Sequence, residues 1–177
     1  MEQTSSMEDK VRNFFNTRFA DAVIREDNFR NQQSLYIKPE FLIEICEALL
    51  DDVELDIKYL SDITSCDWLG HENSKSGRFE VIYNLYSISH KYRLLLKAHL
   101  PDENPRIQSL TNLWNGANWM EREVYDLMGI IFEGHPNLTR ILTPDGFEGH
   151  PLRKDYPLTY EEPHFNWNKD DPPEVIK

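Results

Sequence analysis

Proline crowding near the C-terminus constrains this chain more than any other feature. Seven of its ten prolines lie at or beyond Pro136: Pro136, Pro144, Pro151, Pro157, Pro163, Pro172 and Pro173. Proline fixes φ and has no N–H to donate, so this density forbids long helices and central strands. The same stretch carries Leu138, Ile141, Leu142, Phe147, Leu152, Tyr156, Leu158, Tyr160, Phe165 and Trp167. Large apolar side chains with no local element of their own need another surface to cover them. Residues 133–177 are therefore expected to form an extended docking arm lying across a partner, and residues 1–132 the compact domain.

Within the first 132 residues the apolar period changes from helical to alternating. Val11, Phe14, Phe15 and Phe19 predict a helix from Glu8 to about Ala22. A strand is expected at Ser34 to Ile37. Pro39 suits the first turn of a second helix, running to about Leu50 with Phe41, Leu42, Ile45 and Leu49 inward. Cys46 falls in that pattern and reads as core. Leu55 to Ile63 reads as a strand. Phe79–Leu85 and Tyr92–His99 alternate and read as an antiparallel hairpin turning at Ser87–Lys91. Glu72–Gly77 and Pro101–Pro105 read as loops, Ile107 as a short strand or turn. Leu110, Leu113 and Trp114 suggest a short helix stopped by Asn115-Gly116. A last helix is expected to start at Asn118 as its cap, with Glu121 in the capping-box position, and to end at Gly129 in the left-handed conformation. The expected fold class is α+β: two N-terminal helices packed on a small mixed sheet, then the Pro-rich arm.

The formal net charge of −12 argues against nucleic acid and against an anionic membrane face, both of which would repel such a surface. No apolar run approaches the roughly 20 residues that span a bilayer. The polar, acidic start lacks the order of a signal or transit peptide, so a protein of a reducing cytoplasm is expected. Two cysteines, Cys46 and Cys66, are too few for a four-cysteine iron–sulfur cluster and form no C-x-x-C. No G-x-G-x-x-G, Walker loop or G-x-S-x-G is present.

Three groups of residues invite a chemical reading. Glu121, Arg122, Glu123 and Asp126 are the densest charge cluster on a helix. Paired acids there suit acid–base work, but Arg122 and Asp126 stand four apart and are expected to pair along the helix, with Glu121 the capping acid. His135 and His150 are candidate metal ligands, yet a zinc site needs three or four converging groups, so each is expected to bond backbone in a tight corner. They belong to a small repeat, Glu133-Gly134-His135-Pro136 and Glu148-Gly149-His150-Pro151, read as two similar bends. Arg153-Lys154-Asp155 is the compact basic group of the arm and reads as an interface.

The run Trp119-Met120-Glu121-Arg122-Glu123-Val124-Tyr125-Asp126-Leu127-Met128-Gly129-Ile130 resembles the signature of the C-subunit family of respiratory complex I. The likeness continues through His135-Pro136-Asn137-Leu138, Arg140-Ile141-Leu142 and Gly146-Phe147-Glu148-Gly149-His150-Pro151-Leu152-Arg153-Lys154-Asp155-Tyr156-Pro157-Leu158. Tyr59–Thr64, Arg78–Leu85 and Ile107–Thr111 also resemble the family, so it spans roughly residues 55 to 158. Thr139 departs from it, standing where the family usually has a basic residue.

The resemblance implies a non-catalytic structural subunit of the peripheral arm of a proton-pumping NADH:quinone oxidoreductase. It implies an arm that wraps the D subunit of that complex, which with the B subunit forms the quinone site. It implies no cofactor in this chain, with FMN and iron–sulfur clusters in partner subunits, and a place on the cytoplasmic side of the bacterial inner membrane. Glu121, Arg122, Glu123, Asp126, His135, Arg140, His150, Arg153, Lys154 and Asp155 would then be structural or interfacial. A chain ending at Lys177 is expected to lack the fusion to the D subunit found in some relatives. Three alternatives stand beside this reading: the same scaffold role in a related membrane-bound hydrogenase or other-donor dehydrogenase, a small metal-dependent enzyme, and a free-standing binding module.

Overall fold

A computed structural model describes residues 6–30 and 32–157. Helix α1 (Met7–Arg18) opens with a capping box: the Ser6 hydroxyl accepts from the Asp9 N–H, and the Asp9 carboxylate accepts from the Ser6 N–H. It ends four residues before the expected Ala22, because Phe19 leaves helical geometry. Strands β1 (Val23–Phe29) and β2 (Gln32–Ile37) follow, the first of them unforeseen. A 3-10 turn at Pro39–Phe41 leads into α2 (Leu42–Asp51), whose Leu42, Ile45, Cys46 and Leu49 are buried as expected.

Strand β3 spans Tyr59–Asp67, four residues later than the alternation of Leu55 and Ile57 suggests. Both side chains are buried from the preceding loop instead. The hairpin β4 (Phe79–Ser87) and β5 (Tyr92–Leu100) is antiparallel with Ser87 opposite Tyr92, as read from the sequence. Short strands β6 (Arg106–Gln108) and β7 (Ile131–Glu133) pair in parallel on either side of α3 (Ala117–Met128).

The five-stranded sheet runs β1-β2-β5-β4-β3 and is mixed, since β2 and β5 are parallel while the other pairs are antiparallel. The fold is α+β. One face of the sheet is apolar: Leu35, Ile37, Leu94, Leu96, Ala98, Val81, Tyr83 and Leu85 alternate inward and are buried. The apolar stripes of all three helices join them in one core. The other face carries Arg25, Tyr36, Lys97, His99 and Glu80 at matching register positions. No helix among the described residues is long and apolar enough to cross a membrane.

Residues 134–157 contain no helix or strand. They lie against α3 and the β3–β4 end of the sheet, as the bonds below show. Residues 158–177, with Phe165 and Trp167, fall outside the described part of the chain.

Candidate functional site

The signature helix α3 is a rail to which the following chain is bonded. Its start corrects the sequence reading. The helix begins at Ala117 behind Gly116 with no side-chain cap, so Asn118 is not the cap. Glu121 turns inward instead of back to the helix start. Its fully buried carboxylate accepts from the Leu110 N–H at 2.7 Å and the Ser109 hydroxyl at 2.6 Å. It thereby satisfies donors of the segment arriving from β6 that would otherwise be buried without partners. Burial pushes this carboxyl up to about 7, against the opposing pull of those two donors.

Asp126 is the centre of the site, and it does not pair with Arg122. Its carboxylate is fully buried and accepts from the N–H groups of Ile141 (2.9 Å), Leu142 (2.7 Å) and Thr143 (2.9 Å). The Thr143 hydroxyl and the Arg140 guanidinium, at 3.1 Å, complete it. Burial alone would raise this acid, but the Thr143 hydroxyl and the three backbone donors outweigh it and hold the carboxyl far below the carboxylate range. Arg122 reaches the Thr139 carbonyl and hydroxyl, both at 2.9 Å, and the Arg140 carbonyl. An exposed i,i+4 pair contributes only about 0.3–0.5 kcal/mol, so several charge-assisted bonds to the returning chain win. Thr139, the departure from the family pattern, supplies two of them. Glu123 stays exposed.

The two repeated bends do the same job at opposite ends of the helix. Gly134 and Gly149 both take left-handed φ, 82° and 84°. Each hands its histidine to α3 backbone: His135 Nε2 meets the Asn118 carbonyl at 3.2 Å, and His150 Nδ1 meets the Asp126 carbonyl at 2.9 Å. Burial depresses the His150 pKa, only partly offset by the Asp126 carbonyl. Arg140, which lies between the two bends, donates to the Gly149 carbonyl of the second at 2.9 Å. At the helix end, Arg153 donates to the Met128 carbonyl at 2.7 Å, and the Leu152 N–H to the Leu127 carbonyl. A Cβ on Gly129 would collide with the His150 and Arg153 side chains, so this close approach requires glycine.

The last contacts land on the sheet. Asp67 ends β3, and its carboxylate accepts from both the Arg78 guanidinium and the Lys154 N–H. Arg78 also holds Asp102 and Asp155, each at 2.8 Å, so one guanidinium joins three carboxylates from three segments. Burial resists ionisation of Asp67, yet Arg78 and the Lys154 and Leu69 N–H groups bring it down to about 2. Asp67, Arg78, Thr143 and Ser109 were not singled out from sequence. Of these only the acid–base pair had any signal, two opposite charges flanking a loop, and none of it pointed to the arm.

Chemically this constellation binds and orders chain. Glu121, Asp126, His135 and His150, which suggested acid–base or metal chemistry, hold backbone donors and acceptors of the same molecule. Trp119 on α3 and Leu142 and Leu152 on the bonded segment remain 63%, 60% and 57% exposed, an apolar surface beside polar anchoring.

Residues 35–162 match the family model described as the respiratory-chain NADH dehydrogenase 30 kDa subunit. The chain belongs to this family. It is 46% identical over 150 residues to the NADH-quinone oxidoreductase C subunit of Roseiflexus sp. (strain RS-1), covering 85% of this chain and 84% of that protein. It is 45% identical over 141 residues to the corresponding C subunit of Geobacter sulfurreducens, covering 80% and 84%. Among solved structures, a trypsin-resistant fragment of Nqo5 superposes with a TM-score of 0.65 at 28% identity, over 75% of this chain and all of that one. A chain of the membrane-bound sulfane sulfur reductase, an archaeal respiratory membrane complex, shares the fold with a TM-score of 0.68 at 20% identity, covering 86% of each chain. The family match begins at residue 35, in β2, so it takes in four of the five main strands as well as α3 and the bonded segment.

Proposed function

We propose that this chain is the C subunit of an NADH-quinone oxidoreductase, a non-catalytic structural member of the peripheral arm that braces the quinone-reacting D subunit. The B subunit and other peripheral-arm proteins are its further neighbours. FMN and the iron–sulfur clusters sit in those partners, and the assembly lies on the cytoplasmic side of the inner membrane. One observation carries the reading. The ionisable groups of the family signature hold residues 139–155 against α3 and the sheet, while Trp119, Leu142 and Leu152 stay uncovered. Rigid polar anchoring beneath exposed apolar side chains is the arrangement of an interface, not of a reaction centre.

The test is co-purification of the full chain with the D subunit, comparing the parent with Leu142→Asp, Leu152→Asp and Trp119→Asp. Each side chain is more than half exposed, so the isolated variants are expected to fold. Capture reduced by about tenfold or more for at least two of them supports the role. Undiminished capture by all three rejects it.

A further inference from the structure

A second constructed feature lies on the outer face of the sheet, away from α3. The register of β1 on β2 shifts between Val23, opposite Ile37, and Arg25, opposite Tyr36. Ile24 is thus an inserted residue, and its side chain is 62% exposed. A bulge of this kind re-aims the side chain that follows it and recurs beside functional sites. Here it lays the Arg25 guanidinium over the Tyr36 ring, 3.9 Å from the centroid. The ring is fixed from other directions as well. His99 stacks on it at 5.7 Å and 12°, and Lys97 Nζ lies 5.1 Å from its centroid. His99 is held in turn by the fully buried Glu80 carboxylate, 3.4 Å from Nε2, which also accepts from Trp68 Nε1 at 3.2 Å.

These groups border a cavity of about 240 Å³ where β1, β2, the Pro39–Phe41 turn and a second 3-10 turn, Glu72–Ser76, converge. Ile24, Pro39 and the Tyr36 ring give it apolar walls, while the Ile37 side chain lies in the core on the opposite face of the sheet. Arg25 and Ser76 stand at it with polar groups to offer: Arg25 pairs with no carboxylate, and the Ser76 hydroxyl bonds nothing, among the described residues. His99 Nδ1 is buried without a hydrogen-bond partner. In a chain of net charge −12, a guanidinium left unpaired beside an apolar cavity is a feature to explain. Stacking covers one guanidinium face and leaves the N–H edge open, which matches a carboxylate. The volume lies below the roughly 300–1,000 Å³ of drug-sized sites, which fits a single ring.

We propose that this cavity binds a small planar carboxylate as a free ligand. The carboxylate sits on the Arg25 edge, and the apolar body lies between Ile24 and Pro39 against Tyr36. The proposal is independent of the role of α3 and its bonded segment.

Benzoate is the probe, titrated into the full chain at fixed ionic strength and followed by backbone amide shifts. Saturable shifts are expected at Ile24, Arg25, Ile37, Ser76 and His99, with a dissociation constant on the order of 1 mM for so small a ligand. Benzamide, with the same ring and no charge, is expected to bind at least about tenfold more weakly, as is benzoate to Arg25→Gln. Ser76→Trp, at an exposed position, should block binding with the fold unchanged and serves if Arg25→Gln misfolds. The proposal is overturned by absence of saturable shifts, by equal binding of benzamide, or by undiminished binding to both variants. It is also overturned if a peptide ending in a phenylalanine carboxylate binds at least about tenfold more tightly than benzoate, which would assign the site to a polypeptide terminus.

Discussion

Glu121 shows how far one residue's surroundings can depart from its sequence context. Burial lifts its carboxyl to about 7. An acid whose folded pKa exceeds its unfolded value of about 4.3 binds more protons in the native state between those two values. Stability therefore falls as pH rises through that window, and the deficit persists above it at roughly 4 kcal/mol. Glu121→Gln keeps an acceptor for the Leu110 N–H and adds a donor for Ser109, without a charge to desolvate. The variant is expected to be more stable than the parent by about 1–3 kcal/mol at pH 8 and no more stable at pH 4. Urea unfolding at both pH values checks this, and a difference independent of pH would refute it. The charges on this helix were legible in the sequence, but their partners were not. Glu121 bonds residues 11 and 12 positions upstream, and Asp126 bonds residues 14 to 17 positions downstream. Spacing rules along one helix cannot see either, which is why the expected Arg122–Asp126 pair and the Asn118 cap both fail.

Elements were legible where burial is one-sided and regular. The β4–β5 hairpin alternates cleanly because one face meets the core, and α2 shows its stripe for the same reason. Strand β1 was not legible: Val-Ile-Arg-Glu-Asp-Asn-Phe sits at the sheet edge, with its side chains mostly exposed and a bulge breaking the period. The segment after Gly134 shows the opposite case, with apolar residues that no period explains because polar bonds to α3 hold it. That geometry governs its proteolysis. The peptide bonds after Arg153 and Lys154 are trypsin targets, and cleavage requires the segment to open locally. Asp67→Asn weakens the acceptor shared by Arg78 and the Lys154 N–H, whereas Asp155→Asn removes a half-exposed partner of Arg78 that contributes at most about 1 kcal/mol. Limited trypsinolysis is expected to cut both variants faster than the parent, up to about fivefold for Asp155→Asn and more for Asp67→Asn. Unchanged cleavage of both would mean that the Arg78 cluster does not anchor the segment.

Across the whole molecule, polar bonds cross the division expected between residues 132 and 133. Phe132 is the last fully buried apolar residue of the core among the described residues, and Leu138 packs against that core partly buried. Polar satisfaction continues past Phe132, because among the described residues every hydrogen-bond donor to the buried Asp126 carboxylate comes from residues 140–143. A chain truncated after Glu133 would keep its core and strand an ionised acid beneath it. Removing the partners of a buried charge costs about 3–5 kcal/mol, more than many domains of this size can lose without partial unfolding. The same logic predicts a reversal of sign. In the full chain, Asp126→Leu discards the centre that orders residues 140–143 and should lower stability by about 3 kcal/mol or more. In the truncated chain the same substitution replaces an unpartnered buried carboxylate with an apolar side chain of similar size and should raise stability. Urea unfolding of the four proteins forms a cycle whose coupling should exceed about 3 kcal/mol, the upper range for residues in direct contact. A coupling near zero would mean that residues 1–133 fold as a self-sufficient unit and that the signature helix does not depend on the chain it binds.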